Sequence, residues 1–530
     1  MSSDDEALFI KPNLIIEGLI DQFYAWLYLI PPAQSAMNLQ NLHLSMLDSY
    51  VQQPKVHAAA VANPKMRGGF FIDHDSERVG EIKALRERLT RENAALLELA
   101  AGIKETDELL RAQATGFDLT GLYPQLPDAV RGFVEIVYDL NHQPSMRFLE
   151  SLLYRSRFYR EERQSIELSL DEGQARPFTL STPRLPKPGQ LQLPLPLRHS
   201  GIDQLFQARL NPQPFDRLRE GLEVSDDGQA EILRSFLTEE PTLPAEREVT
   251  SGGRIRYFGH ACLVLQSPTV SIITDPFISA DHQAGDRYTY VDLPERLDYC
   301  LITHGHQDHI VLESLLQLRG RIGQVVVPKN GTGNLQDPSI ELCLRRLGFD
   351  VQVVDDFEEI PFAGGAIVAC PFLGEHSDLD IRAKSTFWLR LADRSIFIDA
   401  DSSGIEPELY GHIRETVGPT DIAFLGMECD GAPLTWLYSA LFTQPVSRKM
   451  SLTRKLSGSN AEQALGIVRQ LGVNEAYVYA MGEEDWLQHV MATSYTPESY
   501  QLKQVAAFLE ACAERGVKAE HLLVQKELRW

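Results

Sequence analysis

From Arg254 onward, short apolar runs rich in β-branched residues each end in histidine or acidic residues. Apolar runs of this kind, bounded by polar residues, predict buried strands. The runs are RIRYFGHACLVLQ, VSIITDPF, DYCLITHGHQDH, AIVACPFLGEHSD, SIFIDADSSG and DIAFLGMECDG. Helical segments such as HIVLESLLQLRG separate some of them. This arrangement predicts a sheet-on-sheet core flanked by helices, with strand ends that bring several metal ligands to one rim.

The densest group of candidate ligands is LITHGHQDHI, residues 301–310. It contains His304, His306, Asp308 and His309, in a chain that has 14 histidines in all. Such a density of imidazole and carboxylate groups indicates a site for two metal ions. The same groups serve zinc hydrolases and, with added carboxylates, iron centres that activate oxygen.

Composition limits the class of protein. The chain has 530 residues, 43% of them hydrophobic, enough for two or three domains. No apolar run approaches the roughly 20 residues of a membrane span, and MSSDDEALFI lacks the basic start and apolar core of a signal peptide. The six cysteines form no CxxC pair, so we expect reduced thiols in the cytoplasm. A net charge of −24 argues against non-specific binding to nucleic acid or anionic membranes.

The first half of the chain, to about Glu172, is expected to be mainly helical. IIEGLIDQFYAWLYLI has apolar residues on most sides, and EIKALRERLTRENAALLELAAGI spaces its apolar residues by three and four. The spaced residues are Ile82, Leu85, Leu89, Leu96, Leu99 and Ile103. Glu92 interrupts the heptad, which favours a surface helix of a bundle over a coiled-coil dimer. Formation of a homodimer through this half is the alternative that the sequence leaves open.

The stretch ARPFTLSTPRLPKPGQLQLPLPLRHS is rich in proline, which disfavours both helix and central strand. We therefore expect a mainly helical N-terminal domain at residues 1–172, which would make the dimer or partner contact. A proline-rich strap or linker would follow at 173–250, and a catalytic domain at 251–530.

The order of the polar strand ends is also informative. HxHxDH after a strand, preceded by GHAC and TDPF and followed by GEHSD and DADSS, resembles the metallo-β-lactamase fold, an αββα sandwich. The resemblance covers roughly residues 252–485, so the expected fold class is α+β. It implies that His304 and His306 bind one metal ion and that Asp308 and His309 bind a second.

The same resemblance implies a bridging aspartate at the end of a later strand. Ala400-Asp401-Ser402 matches the Gly-Asp-Thr that is usual in the family, so Asp401 is preferred. Asp399, two residues earlier, would point the same way from a regular strand and is the alternative.

The remaining family ligands are less clear in this sequence. The third histidine for the first ion should fall in GEHSD, which offers Glu375 and His376; neighbours in an extended segment point to opposite sides, so we expect only one to bind. No histidine stands in EAYVYAMGEED, where the last one normally follows, although His489 lies a little downstream. Glu428, in GMECDG, is a candidate ligand or a residue that orients one.

Ligand chemistry favours iron. Zinc is at ease with imidazole, whereas iron that changes oxidation state is better served by hard anionic oxygens. With Glu375 in place of His376, the site would carry three carboxylates. The expected ligands are His304, His306, Asp308, His309, Glu375 and Asp401. Glu375, Asp401 and Glu428 are the carboxylates expected to act in catalysis.

This ligand set resembles the diiron β-hydroxylases of nonribosomal peptide synthesis. DQFYAWLYLIPP, FLGEHSD, GMECDGAPLTWLY and LSGSNAEQA extend the resemblance over the whole chain. It implies a cytoplasmic, dimeric monooxygenase of antibiotic biosynthesis that hydroxylates an aromatic aminoacyl group held as a thioester on a carrier domain. It also implies a cofactor of two iron ions that alternate between Fe2+ and Fe3+. The reaction would use O2 and an external electron donor. NGTGN lacks the GxGxxG spacing, so no bound NAD or flavin is expected.

Two other functions are compatible with parts of the sequence. A zinc-dependent hydrolase of the same fold, such as a lactonase, phosphodiesterase or thioesterase, would use a metal-bound hydroxide and needs no third carboxylate. A non-enzymatic scaffold is disfavoured by the intact HxHxDH motif.

Two segments after Glu428 are candidates for substrate recognition. APLTWLYSALFTQP places Trp436, Tyr438 and Phe442 where they would wall an aromatic pocket, with core packing as the alternative. SRKMSLTRKLSGS is basic and contains no acidic residue. Its cations are Arg448, Lys449, Arg454 and Lys455. They are expected to meet an acidic carrier domain at the pocket mouth, the alternative being an ordinary solvated turn.

Overall fold

The structure is a computed structural model, and it describes residues 7–241, 246–280, 287–331 and 333–530. The N-terminal half combines helices with small antiparallel sheets. Its strands are β1 (Ala7–Ile10), β2 (Leu14–Ile20), β3 (Phe23–Tyr24), β4 (Val134–Tyr138), β5 (Pro144–Phe148), β6 (Gln164–Leu170), β7 (Leu191–Leu193), β8 (Gln213–Pro214) and β9 (Leu237–Thr238). They pair in the orders β3-β2-β6-β7, β8-β1-β9 and β4-β5.

The described part of this half also contains nine α-helices. They are α1 (Pro32–Asn38), α2 (Leu44–Gln52), α3 (Pro54–Val61), α4 (Val79–Glu92), α5 (Ala94–Gln113), α6 (Glu150–Leu153), α7 (Ser200–Gln207), α8 (Phe215–Gly221) and α9 (Asp227–Ser235). A π-helical segment, Leu39–His43, joins α1 to α2.

The expectation that IIEGLIDQFYAWLYLI is helical is wrong. The segment forms β2, β3 and a short 3-10 helix, Leu27–Leu29. β2 pairs with β3 on one side and β6 on the other, and all seven of its residues are buried. A strand covered on both faces has apolar residues on all sides, so its pattern is the same as that of a buried helix.

The helix expected at residues 81–103 is present as two helices, α4 and α5, which meet at Asn93 directly after Glu92. The six apolar residues of its three-and-four pattern are between 0% and 5% exposed. These six side chains are buried within one chain, so they pack inside the helical bundle. They are not available for a coiled-coil dimer. Dimer formation stays a prediction.

The proline-rich stretch runs as turns and extended chain from Asp171 to Gln190. It then supplies β7, an edge strand beside β6, which is the position in a sheet that proline tolerates. β8 and β9 pair with β1, so residues 173–241 join their strands to those of the first 172 residues. The domain boundaries at residues 172 and 250 stay a prediction.

In the described part of the C-terminal half, two sheets of seven strands face each other. The strands are β10 (Arg254–Tyr257), β11 (Leu263–Ser267), β12 (Val270–Thr274), β13 (Leu297–Leu301), β14 (Ile322–Pro328), β15 (Val351–Val354), β16 (Glu359–Phe362), β17 (Gly365–Cys370), β18 (Thr386–Leu391), β19 (Arg394–Ile398), β20 (Ile422–Gly426), β21 (Glu475–Tyr479), β22 (Lys518–His521) and β23 (Lys526–Arg529). The first sheet has the order β15-β14-β13-β12-β11-β10-β23, and the second runs from β16 to β22 in sequence order.

The described part of this half also contains eight α-helices. They are α10 (Leu312–Leu318), α11 (Ile340–Arg346), α12 (Glu408–Val417), α13 (Leu434–Tyr438), α14 (Arg448–Thr453), α15 (Ala461–Leu471), α16 (Gln488–Met491) and α17 (Tyr500–Glu514). Residues such as Ile272, Leu301 and Phe387 fill the space between the sheets, while α12, α15 and α17 pack on the second sheet. The αββα sandwich expected from the sequence is confirmed.

The N-terminal half packs on the outer side of the first sheet. Gly18 of β2 lies against Leu316 of α10, and a Cβ atom at Gly18 would come within 3.3 Å of that leucine. The two halves therefore share one hydrophobic core. Within the described ranges, no helix has the length and apolar character needed to cross a lipid bilayer.

Candidate metal centre

The candidate ligands lie at one rim of the sandwich, where strands of both sheets end. His304 and His306 follow β13 of the first sheet, while Glu375 and Asp401 follow β17 and β19 of the second. Buried strands bring these loops together because facing sheets share a rim. The six expected ligands are between 0% and 9% exposed.

One group of side chains surrounds a point between His304, His306 and Glu375. The His306 Nδ1 atom lies 3.1 Å from His304 Nε2 and 3.1 Å from Glu375 Oε2. His304 Nε2 lies 3.8 Å from the same carboxylate oxygen. These distances suit side chains that bind one cation together, and His376 belongs to the same group.

A second group is formed by Asp308, His309 and Asp401. The His309 Nε2 atom lies 3.0 Å from Asp401 Oδ2 and 3.5 Å from Asp308 Oδ2. Asp401 Oδ2 is also 3.8 Å from His304 Nε2, so this carboxylate lies between the two groups. Asp399 is fully buried and is outside the ligand groups found among the described residues.

The donor set fits two cations. His309 Nε2 and Glu375 Oε2 are buried, and their close contacts among the described residues lack hydrogen-bond geometry, which is costly unless a cation satisfies both atoms. Burial raises the pKa of the Glu375 carboxyl to about 7. Burial, followed by the neighbouring His309 and His306, lowers the pKa of His304, which favours the neutral imidazole that binds metal.

The segment that carries Glu375 and His376 is not extended. Gly374, Glu375 and Ser377 have φ values of +77°, +66° and +54°, in the left-handed region. The side-chain alternation expected for an extended segment therefore does not apply, and both Glu375 and His376 face the first group. Left-handed backbone at non-glycine residues is a strained conformation that often accompanies functional sites.

Residues that orient His309 were not assigned from the sequence. Asp275, at the end of β12, accepts hydrogen bonds from the Thr303 backbone N–H at 2.8 Å and the Thr303 hydroxyl at 2.5 Å. Its Oδ2 lies 2.9 Å from His309 Nδ1, so His309 Nε2 faces Asp401. A carboxylate on the outer nitrogen of a metal-binding histidine fixes its tautomer. The motif TDPF contains this aspartate and was the available signal.

His260 was also missed. Its Nε2 lies 3.0 Å from Asp308 Oδ2, and with Asp308 and His309 it forms a third group of potential ligands. The motif GHAC contains it. His489, a low-ranked candidate ligand, is not in these groups, because its Nε2 lies 3.6 Å from Glu313 Oε2 on α10.

A cavity of about 350 Å³ opens onto both ligand groups, and we call it the metal cavity. His306, Asp308, Glu375 and Asp401 line it on the metal side. Glu428 and Trp436 form part of its remaining wall, together with residues such as Leu456, Met491 and Tyr495. An acidic and aromatic wall of this kind suits a substrate that carries both an ammonium group and a ring.

Of the three aromatic candidates, Trp436 is among the described residues that line this cavity, whereas Tyr438 and Phe442 follow the alternative of core packing. Tyr438 is 1% exposed, and its hydroxyl lies 2.9 Å from His306 Nε2. Phe442 packs against the hydrophobic core. The Tyr438 hydroxyl instead contacts Nε2 of His306, the ring nitrogen that points away from the first ligand group. Nδ1 of His306 therefore faces that group.

The basic segment divides into two pairs. Arg454 donates from Nε to the Ser377 carbonyl oxygen at 2.8 Å, and Lys455 forms an ion pair with Asp430, which lines the metal cavity. Arg448 and Lys449 lie exposed on α14. The structure thus places the segment beside the cavity, but only Arg448 and Lys449 point to solvent.

Comparisons with known proteins agree with this geometry. Residues 9–241 match a family model described as the diiron non-heme beta-hydroxylase N-terminal domain, and residues 254–398 match a beta-lactamase superfamily domain. The 4-amino-L-phenylalanyl-CmlP-peptidyl-carrier-protein 3-hydroxylase of Streptomyces venezuelae is 36% identical over 98% of this chain and 99% of its own. The chain belongs to the diiron non-heme β-hydroxylase family.

Solved structures extend this likeness to the whole fold. The crystal structure of CmlA, a diiron beta-hydroxylase from Streptomyces venezuelae, superposes with a TM-score of 0.93 and 35% identity, covering 99% of this chain and 100% of that one. A variant of the same hydroxylase superposes with a TM-score of 0.90. The enzyme class expected from the sequence is therefore confirmed, and membership of this diiron family implies iron ions.

The zinc-hydrolase alternative is not supported. A metal-dependent hydrolase of Christiangramia forsetii is 36% identical over 58 residues, which is 11% of this chain and 25% of that protein. A likeness confined to such a short segment does not extend to the N-terminal half of the chain.

We predict that Tyr438→Phe weakens iron binding while the fold is kept. The change removes only the hydroxyl that fixes His306, and loss of such an outer contact typically costs about 10- to 100-fold in metal affinity. Iron content during dialysis against a chelator, together with the optical spectrum, measures this effect. Tyr290→Phe, which removes a buried hydroxyl bonded to Ser314, is the matched control. Equal iron retention in both variants would contradict the role of Tyr438.

Proposed function

We propose that this diiron β-hydroxylase is a monooxygenase that hydroxylates the β-carbon of an aromatic aminoacyl group, held as a thioester on a carrier domain of a nonribosomal peptide synthetase. The observation that carries the proposal is the 36% identity, over 98% of the chain, to a hydroxylase whose printed substrate is an aminoacyl group on a peptidyl carrier protein. The Trp436 wall of the metal cavity supports an aromatic side chain.

We assign the ligands as the sequence predicted. His304, His306 and Glu375 would hold one iron, Asp308 and His309 the other, and Asp401 would bridge them. Three carboxylates suit iron that changes oxidation state. The contacts of Asp401 with His309 and His304 support the bridge, and the left-handed loop that turns Glu375 towards His306 supports its place as a ligand.

The residues around the ions would position the substrate. When bound, two ferrous ions would supply the two electrons that, with two protons, reduce O2, so that one oxygen atom enters the β-carbon–hydrogen bond as a hydroxyl and the other leaves as water. Glu428 lines the cavity wall and interacts with Tyr495, and it would accept a hydrogen bond from the α-ammonium group. Trp436 would hold the ring, so that the β-carbon lies over the ions.

Further parts of the proposal concern the setting of the enzyme. Re-reduction of the irons requires an external electron donor, since neither a bound NAD nor a bound flavin is expected. We place the protein in the cytoplasm, which is supported by six cysteines that are all free thiols. A homodimer is also part of the proposal.

The function predicts two iron ions per chain in protein purified without added metal. With a reductant, O2 and a carrier loaded with an aromatic amino acid, the product should gain one oxygen atom, and isotopically labelled O2 should supply it. Mass spectrometry of the carrier-bound product measures this gain. An empty carrier and free amino acid are the controls. Zinc in place of iron, with release of the amino acid from the thioester, would contradict the proposal.

The ligand assignment predicts different outcomes for Glu375 and His376. Glu375→Asp keeps the charge but shortens the side chain, so it should retain iron while changing the rate of reaction with O2. His376→Ala should leave iron content near normal, because Glu375, with Oε2 at 3.1 Å from His306 Nδ1, would complete the first group without it. Metal analysis and stopped-flow absorbance distinguish these outcomes. Loss of one iron in His376→Ala alone would reverse the assignment.

A further inference from the structure

Helix α14 presents an unusual surface to solvent. Arg448 and Lys449 are exposed, and Met450 and Leu452 are 48% and 46% exposed. We call these four residues the α14 face. Neither cation forms an ion pair with a residue in the described ranges. Two cations without ion pairs give the exposed side of this helix a local positive charge, and Met450 and Leu452 add apolar atoms to the same exposed helix.

The α14 face is held rigidly. The Ser447 hydroxyl oxygen accepts a hydrogen bond from the Met450 backbone N–H at 3.2 Å, and Ser451, which is buried, lies 2.8 Å from the Thr435 hydroxyl. Arg454 continues this support through its bond to the Ser377 carbonyl. A surface held in place before binding loses less conformational freedom when a partner docks.

The α14 face also lies next to the metal cavity. The chain before it lines the cavity with Asp430 to Pro433 and Trp436, and Leu456, three residues after the end of the helix, lines it as well. An isolated backbone bridge between Pro433 and Lys455 closes this loop. A partner docked on the α14 face would therefore stand beside the opening through which substrate must reach the ions.

A third free cation lies at the same opening. Arg67, from the N-terminal half, lines the metal cavity and is exposed, with no ion pair or side-chain hydrogen bond to the described residues. Gly68, the next residue, accepts a hydrogen bond from Trp436 Nε1 at 2.9 Å through its carbonyl oxygen, which fixes the segment against the cavity wall. An arginine in this place suits a phosphate group.

We infer that the α14 face is the docking surface for the carrier domain, and that Arg67 receives the phosphate of its phosphopantetheine arm. The inference rests on the proposed function. Carrier domains are commonly acidic, and a chain with a net charge of −24 repels them except where it keeps a local positive surface. Met450 and Leu452 would add apolar contacts on either side of the exposed arc of α14. Arg454 and Lys455, which the sequence grouped with this surface, belong to its support.

The test measures binding of the full-length iron-loaded enzyme to the loaded carrier by calorimetry at low and moderate salt. Arg448→Glu/Lys449→Glu should raise Kd about tenfold or more and make its salt dependence shallower. Lys83→Glu/Arg155→Glu is the matched control, because it makes the same charge change at exposed positions away from the cavity. The docking surface is overturned if the charge-reversed variant has the same Kd as the parent. It is also overturned if the control variant loses as much affinity as the charge-reversed variant.

The apolar residues and Arg67 are tested separately. Met450→Ser/Leu452→Ser should weaken binding, whereas Leu140→Ser, at a leucine that is 99% exposed, should not. Arg67→Ala should weaken binding of the carrier that bears the arm and leave binding of the unmodified carrier unchanged. Equal loss for both carriers overturns the phosphate contact, and no loss in the Met450/Leu452 variant overturns the apolar contact.

Binding and turnover separate this inference from the proposed function. Iron content should be the same in every variant. A parent enzyme that binds the loaded carrier without hydroxylating it would overturn the proposed function and support the docking surface. A charge-reversed variant that hydroxylates the loaded carrier with the KM of the parent would overturn the docking surface and support the function.

Discussion

The structure depends on a set of buried carboxylates and imidazoles where the rims of the two sheets meet. Asp401, after a strand of the second sheet, lies 3.0 Å from His309, which follows a strand of the first. Glu375 and His306 make a second such contact at 3.1 Å. Buried carboxylates at this density repel one another unless cations offset their charge. Iron binding and closure of the sandwich at this rim therefore stabilise each other.

A second buried network joins the N-terminal half to this rim. Arg176 donates two hydrogen bonds to Glu313 on α10, at 3.0 and 2.7 Å, and a third to Glu17 on β2. Burial opposes ionisation of Glu17, but Arg184 and Arg176 outweigh it and hold its pKa well below the usual range. α10 begins directly after the loop that ends with His309, so these ion pairs fix the helix behind that ligand.

Aromatic contacts give the N-terminal half a second connection to the centre. The ring of Tyr28 lies edge-on to Tyr438 with 6.2 Å between the centroids, and the Tyr438 hydroxyl lies 2.9 Å from His306 Nε2. The Tyr28 hydroxyl is fixed in turn by the Gln336 carbonyl oxygen at 2.7 Å. A sandwich without this half would leave the outer nitrogen of His306 less well fixed, which explains why the two halves occur together in one enzyme.

The sequence by itself determined the strands of the sandwich and the loops that hold the ligands, because a β-branched run and its polar end are local signals. It could not distinguish β2 from a helix, since burial on all sides erases periodicity. It also left Tyr438 between cavity wall and core, gave Asp275 no role, and left Arg454 between a docking surface and a solvated turn. Only the tertiary structure decided the roles of these three residues. Their partners lie between 28 and 132 residues away along the chain, and the spacing of residues in a sequence does not indicate such contacts.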